Sequence, residues 1–353
     1  MGRRVRRHPS TRVRSPVLPP AFPDALELVD GTDPNHHQRW LNEVYSDKSL
    51  VTQYALTPGT PDLWQSTSSS TRPSLMARML TLLDVHDGNR VLEIGTGTGY
   101  NSALLCHRLG SGNVASLDID PELVDLARDR LATLGQHPTL AVGDGAAGFA
   151  DDAPYDRIIA TCAVQTIPAP WLAQLQPGGL IVADLRGDLT SSLLVARDNG
   201  DGTVSGRFLA EPGHFMWLRA HVDNPLRDGG RFATHIDYDD VHTTTTSLNP
   251  TILDEPSFRF FLQFIAPDMG RIWTSNRNGK TLVRISDGRG AWADVDPVSG
   301  TVIQGGPTDL FKHIEHAANL WEKHGRPDPT RLGITAGPTG RTLWLDSPQH
   351  PIA

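Results

Sequence analysis

VLEIGTGTGY, residues 91–100, reads as a short strand running into a turn in which every second residue is glycine. Val91, Leu92 and Ile94 are apolar, and a helical pattern begins at Tyr100. In a doubly wound sheet such a strand-to-helix turn lies at the carboxyl edge, where ligands bind. Gly95, Gly97 and Gly99 let backbone approach a ligand where side chains would block it. The spacing decides between ligand classes. A dinucleotide fingerprint runs G-x-G-x-x-G, with a pyrophosphate on the helix N-terminus. Here the glycines alternate, Tyr100 stands where the last one would be, and Glu93 precedes the turn.

Outward from this turn, residues 74–183 alternate helix and strand. Residues 74–85 carry Leu75, Met79, Leu82 and Leu83 at helical spacing. NVASLDI (113–119) predicts a second strand, and the helix after it opens on Pro121 and ends at Gly135. PTLAVGD (138–144), YDRIIATCA (155–163) and GGLIVADL (178–185) predict three more strands, with a short helix in PAPWLAQL (168–175). Alternating β and α elements imply right-handed crossovers and a parallel, Rossmann-like, doubly wound α/β sheet. SSLLVAR and VSGRFLA, to residue 210, add an antiparallel edge.

The flanks differ in character. Residues 1–30 are Arg- and Pro-rich and predict a disordered basic arm. Residues 33–54 read as an N-terminal helical extension, with Trp40, Leu41, Val44 and Tyr45 near i, i+4 spacing. His36 and His37 are adjacent and so diverge on a helix, with no partner at metal-ligand spacing; they read as surface histidines. HTTTTSLNP (242–250) reads as a polar loop. A meander of short strands follows across 271–306, then an amphipathic helix with Leu310, Ile314, Ala317 and Trp321 on one face. LGITA and TLWLDS would close that sheet. The expected division is 31–220 for the first folded domain and 221–353 for a second, α+β domain.

Composition narrows the function. The chain has 353 residues, 38% hydrophobic and 20% charged, enough for a globular core. No apolar run approaches the ~20 residues of a membrane-spanning helix, and the Arg-rich start lacks a signal-peptide core. The formal charge of −8 argues against a general nucleic-acid binder. Cys106 and Cys162 both sit in apolar segments, which suits reduced thiols in a cytoplasmic protein. No metal site and no oligomer is expected.

Two more acids complete the pattern begun by Glu93. Asp118 ends the second strand, 19 residues after Gly99, placed to accept from ribose hydroxyls. Asp144 ends the third strand, where an adenine amino group would donate to it. E-x-G-x-G-x-G with acids at two successive strand ends resembles the class I S-adenosylmethionine-dependent methyltransferases. VLEIGTGTGY, GDGAAGFADDAPYDRIIATCAV and IPAPWLAQLQPGGLIVADL resemble protein-L-isoaspartate O-methyltransferase more closely, over about residues 35–220, with HFMWLRA (214–220) as its last strand. The resemblance implies S-adenosyl-L-methionine as cofactor, bound by Glu93, Gly95, Thr96, Gly97, Gly99, Tyr100, Asp118, Ile119, Asp144 and Gly145.

In that family a Ser two residues before a Pro, in a T-I-S-x-P type loop, lines the methyl-acceptor pocket. Aligning on Pro73 puts Thr71 at that Ser, with Ser70 and Ser69 at the two positions before it. The resemblance therefore makes Thr71, Ser70 and Ser69 the candidate catalytic residues, with Thr replacing Ser and extra serines present. A carboxylate acceptor is ionised at neutral pH and needs no general base. Catalysis then rests on positioning, exclusion of water, and hydroxyl or N–H donors to the acceptor oxygens.

The long C-terminal region resembles the accessory isoaspartyl-methyltransferase-like enzymes of ribosomal peptide pathways. These act beside ATP-grasp ligases in graspetide clusters, and in lanthipeptide and lasso-peptide clusters. That resemblance implies a cyclised precursor peptide as substrate, methylation of a normal L-Asp, and aspartimide as product. The alternatives are repair of isoaspartyl sites in damaged proteins, a small-molecule methyltransferase, and a non-catalytic binding module.

Overall fold

In the computed structural model the residues described are 12–14, 28–31, 33–56, 64–219, 241–267, 269–277 and 279–352. The described residues build three sheets. The first has the order β2-β1-β3-β4, from β1 (Arg12–Arg14), β2 (Leu28–Asp30), β3 (Leu50–Leu56) and β4 (Trp64–Ser70), with α1 (His37–Val44) packed on it. This corrects three expectations. Residues 12–14 and 28–30 are paired strands rather than a disordered arm; the rest of 1–27 lies outside the described residues. The helix of the N-terminal extension stops at Val44, and β-branched and aromatic residues from Leu50 make a strand. The hydroxyl-rich stretch is not a loop: it forms β4, antiparallel to β3.

Helix α2 (Pro73–Leu83) starts with Pro at its first turn and buries Leu75, Met79 and Leu83. The main sheet then follows the predicted alternation through β5 (Val91–Ile94), α3 (Tyr100–Leu109), β6 (Val114–Asp118), α4 (Pro121–Ala132), β7 (Thr139–Val142), β8 (Tyr155–Val164), α5 (Ala169–Ala173) and β9 (Leu175–Arg186). These five strands are mutually parallel. Antiparallel β10 (Ser191–Asp198) and β11 (Val204–Phe208) extend them as expected.

Beyond residue 240 come β12 (Val241–Thr245), α6 (Pro256–Ile265), β13 (Arg271–Arg277), β14 (Lys280–Ser286), β15 (Trp292–Val295), β16 (Thr301–Gly305), α7 (Leu310–Lys323), β17 (Leu332–Gly337) and β18 (Gly340–Leu345). The polar stretch at 241–245 is an exposed edge strand on β16, not a loop. β13–β16 form the predicted meander. β17 and β18, however, do not close it. They pair with β11, so the main sheet runs β18-β17-β11-β10-β9-β8-β5-β6-β7. A boundary at 220 divides the chain but not the sheet.

One apolar core therefore spans both regions. Phe208 at the end of β11 is buried against Phe260 and Phe264 of α6, with ring centroids 4.8 and 5.3 Å away. Phe258 packs on Trp321 of α7 at 5.4 Å. Removing the Phe208 ring is expected to destabilise the protein by about 3–5 kcal/mol, the usual range for a buried Phe→Ala change. Because that ring joins both parts, Phe208→Ala should lower one shared denaturant midpoint. Two separated transitions, only one of them shifted, would show that the parts unfold independently.

Candidate functional site

The turn after β5 is fixed by its neighbours. The Gly95 and Thr96 N–H groups donate to Leu117 O at 2.8 and 3.1 Å, and Gly97 N–H donates to Asp118 Oδ2 at 2.9 Å. From below, Thr161 on β8 donates its hydroxyl to Gly95 O at 2.7 Å. Gly95 has φ +97°, and an added Cβ would stand 2.9 Å from Thr161 Oγ1. Gly95→Ala should therefore lower stability by about 1–3 kcal/mol and weaken ligand binding at the turn, read by thermal melts and calorimetry. Gly99 differs in role. At φ +79° it caps α3 and lets α4 approach, with Ala127 Cβ 3.1 Å from where its own Cβ would be.

The turn forms one wall of a cleft that is open to solvent. Of the thirteen candidate site residues, twelve line it: Ser69, Ser70, Thr71, Glu93, Gly95, Thr96, Gly97, Tyr100, Asp118, Ile119, Asp144 and Gly145. Only Gly99 stands behind the wall. Ile119 is an exposed apolar residue at the mouth.

Glu93 is wholly buried. Asn101 Nδ2 donates to its Oε1 at 2.8 Å, Ser116 Oγ donates to Oε2 at 2.8 Å, and Ser102 Oγ donates to Oε2 as well. Burial pushes this carboxyl above the usual carboxylate range, and the Ser102, Asn101 and Ser116 donors oppose that rise. With three donors from its own neighbours, Glu93 braces the turn. Asn101, Ser102 and Ser116 give no sequence signal for this, because their partnership exists only across the strand and helix.

Asp118 is 9% exposed at the carboxyl end of β6. Its Oδ1 accepts from Asp120 N–H at 3.1 Å and from Arg219 Nη2 at 3.2 Å. Arg219 was not legible as a site residue. It belongs to the segment expected as the last strand, which instead makes a single parallel bridge, Ala163 with Trp217. Buried Asp184 holds this segment, accepting from Gly213 N–H and Phe215 N–H at 3.1 Å each. Residues 215–219 thereby become the far wall of the cleft. Asp144 Oδ1 accepts from Ala146 N–H at 2.9 Å, shaping a short turn whose Gly145 O accepts from Trp171 Nε1 at 2.8 Å.

The hydroxyl wall alternates as a strand must. Ser68 and Ser70 are buried, whereas Ser69 is half-buried. Ser68 Oγ accepts from Thr52 at 3.0 Å. Ser70 is 3% exposed, and its Oγ has no hydrogen-bond partner. Ser70, Thr71 and Tyr100 also line a second hollow of about 290 Å3, whose other side includes Val44, Tyr45 and Lys48. The three residues thus form a partition with space on both sides. Asn101 Oδ1 is the other orphan: it is buried at the cleft and has no partner. Glu93 Oε1 accepts from the amide nitrogen of Asn101, so the amide oxygen is left for another partner. A buried polar atom without a partner is costly unless a ligand satisfies it. An acidic strand end, an orphan acceptor and a glycine cradle fit S-adenosylmethionine, with its ribose hydroxyls and ammonium as donors.

The remaining chemistry is inert. Cys106 is buried and its thiol is pushed up to about 11, chiefly by burial; burial also raises Cys162, at the cleft floor. His37 is exposed and His36 is partly buried beside Asp33 at 3.6 Å. Among the described residues no cluster of His, Cys, Asp and Glu is suited to a metal, and no helix is long and apolar enough to cross a membrane.

Residues 23–214 match the family model for Protein-L-isoaspartate(D-aspartate) O-methyltransferase (PCMT). Protein-L-isoaspartate O-methyltransferase 2 of Archaeoglobus fulgidus is 36% identical over 194 residues, covering 53% of this chain and 83% of that protein. The Methanothrix thermoacetophila protein-L-isoaspartate O-methyltransferase is 40% identical over 131 residues, 36% of this chain and 62% of that one. A solved protein-L-isoaspartate O-methyltransferase aligns over 87% of this chain and 89% of its own, with TM-score 0.52 and 20% identity, a likeness of fold. The chain belongs to the protein-L-isoaspartate(D-aspartate) O-methyltransferase family and is an S-adenosylmethionine-dependent carboxyl O-methyltransferase.

Proposed function

We propose that the enzyme methylates the side-chain carboxylate of an L-Asp in a cyclised ribosomal precursor peptide. When bound, S-adenosylmethionine supplies a methyl group on a sulfonium, an electrophile with a neutral leaving group. Asp118 would accept from its ribose hydroxyls, Asn101 Oδ1 would accept from its ammonium, and Asp144 and Gly145 would border its adenine. Thr71, Ser70 and Ser69 hold the acceptor. They would aim a carboxylate oxygen at the methyl carbon, with the sulfonium sulfur as the leaving group that would take the electrons of the broken carbon–sulfur bond. Attack of the following backbone nitrogen on the ester expels methanol, which carries the nitrogen's proton, and closes an aspartimide. An ATP-grasp ligase is the partner that would supply the cyclised peptide, in a reducing cytoplasm.

The observation that carries this reading is the hydroxyl partition. Ser70 has a buried oxygen with nothing to bind, between two hollows that suit a donor on one side and a peptide carboxylate on the other. The C-terminal unit, built onto the main sheet through β17 and β18, supplies surface for recognising a particular peptide.

Repair of isoaspartyl residues is the second reading, and the names of the relatives favour it. The fold likeness over 87% of the chain also reaches past residue 214, so a C-terminal unit alone does not exclude it. Mass spectrometry separates the two. The biosynthetic reading expects one added methylene on a cyclised precursor from the same gene cluster, then loss of methanol. Efficient methylation of a generic isoaspartyl hexapeptide, with none on the cyclised partner, would establish repair instead.

A further inference from the structure

The hollow behind the hydroxyl partition is larger than an acceptor carboxylate requires. Its volume of about 290 Å3 is room for on the order of ten waters at ~30 Å3 each, and an aspartyl CH2–COO⁻ group displaces only a few of them. The rest of the wall is apolar. Val44 at the end of α1 and Leu50 at the start of β3 are buried in it, and Tyr45, Pro73 and Tyr100 complete that surface. The polar side chains Ser46 and Lys48 are turned to Glu43: Ser46 Oγ donates to Glu43 O at 2.7 Å, and Lys48 Nζ stands 3.8 Å from Glu43 Oε2. Ser70 Oγ is the buried polar atom of this wall that has no partner, and it lies on the partition shared with the methyl-transfer cleft.

Tyr45 is the residue here that the fold itself does not explain. Its spacing from Leu41 predicts a buried apolar face together with Trp40 and Val44. Instead α1 ends at Val44, and the Tyr45 N–H closes the helix by donating to Leu41 O at 3.1 Å. Val44 is 5% exposed, whereas Tyr45 beside it is 53% exposed on the wall of the hollow. An exposed tyrosine next to an apolar recess is a surface that a bound apolar group would cover. Tyrosine is also among the side chains that most often anchor peptide and protein partners.

We propose that this hollow is a specificity subsite for the residue next to the acceptor in the peptide. It takes an aliphatic or aromatic side chain, laid on Tyr45 and packed against Val44, Leu50 and Pro73, while the acceptor carboxylate lies at Ser70 and Thr71. The proposal rests on the reading of the substrate as a peptide. Consecutive residues have Cα atoms about 3.8 Å apart, and hollow and cleft share Ser70, Thr71 and Tyr100. Adjacent residues of one peptide therefore reach both. An acidic neighbour is disfavoured, because its charge would lose water against apolar walls. The subsite supplies selectivity that a single carboxylate does not carry.

Saturation-transfer NMR tests the contact without turnover, on the full chain loaded with S-adenosylhomocysteine. The probes are acetyl-Asp-Leu-amide and acetyl-Leu-Asp-amide, with acetyl-Asp-Gly-amide and acetyl-Asp-Glu-amide as references. The expected result is transfer to the leucyl methyl protons in wild type, reduced threefold or more in Tyr45→Ala, with at least fivefold weaker binding of both references. Calorimetry with S-adenosylhomocysteine checks that Tyr45→Ala keeps its fold and cofactor site. Should it fail to fold, Ser46→Phe, which fills the hollow, takes its place. No transfer to either leucyl probe, equal transfer in wild type and variant, or equal binding of the references would overturn the subsite. Kinetics then separate it from the proposed function, with linear and cyclised acceptors that carry Asp or isoaspartate next to Leu or Gly. A KM at least tenfold lower with Leu in wild type but not in Tyr45→Ala, at unchanged kcat, supports the subsite. The same dependence confined to isoaspartyl acceptors keeps the subsite and puts repair in place of biosynthesis. Cyclised aspartyl acceptors methylated equally whatever the neighbour would remove the subsite and leave the proposed function standing.

Discussion

Asp118→Ala is expected to weaken S-adenosylmethionine binding at least tenfold while leaving the protein folded. Asp118 lies at the carboxyl end of β6 and lines the cleft beside Ile119 and the glycine turn. A carboxylate accepting from a ribose hydroxyl contributes about 1.5–3 kcal/mol per charge-assisted bond, and one such bond already gives the tenfold loss. The substitution also removes the acceptor for Gly97 N–H, so the turn itself loosens. Arg219→Ala provides the contrast. Its guanidinium holds Asp118 at 3.2 Å and Asp120 at 3.8 Å, in competition with a ribose. Freeing the carboxylate should raise cofactor affinity. Isothermal titration of both variants decides the matter: unchanged affinity in folded Asp118→Ala removes the residue from the cofactor site, and a loss in Arg219→Ala makes the guanidinium a cofactor contact.

Thr71→Val should slow methyl transfer by about 10²-fold, the usual effect of deleting one principal donor to a reacting oxygen, with cofactor affinity little changed. Valine keeps the shape of threonine and loses only the hydroxyl. Ser70 is the nearest substitute, because its oxygen is buried, unpartnered and on the same partition. Ser70→Ala with Thr71→Val should therefore slow transfer further than Thr71→Val alone, measured in single turnovers with saturating acceptor. Equal rates for the double variant and wild type would remove this wall from the chemistry.

Local pattern alone specifies the parallel half of the sheet. β5, β6, β8 and most of β9 are buried apolar runs, and α2 and α4 each bury one face, patterns that repeat every few residues along the chain. The glycine turn and the acids at strand ends were equally legible, because each depends on a residue and the element just before it. Twelve of thirteen candidate residues consequently fall on one cleft. Tertiary structure decided the rest. VSGRFLA and LGITA are each a plausible edge strand, and which edge pairs with which is a choice among non-local partners; β11 and β17, more than a hundred residues apart, chose each other. The hydroxyl stretch looked like a loop because serine favours turns and caps, yet pairing with β3 satisfies its backbone and makes it a wall. Arg219 is 101 residues from Asp118 in sequence, and the anchoring of its segment by Asp184 and by backbone bonds to Ala163 brings it onto that carboxylate. Local pattern names the elements, but contacts that close long loops are set by the packing of the whole core, and those contacts complete this site.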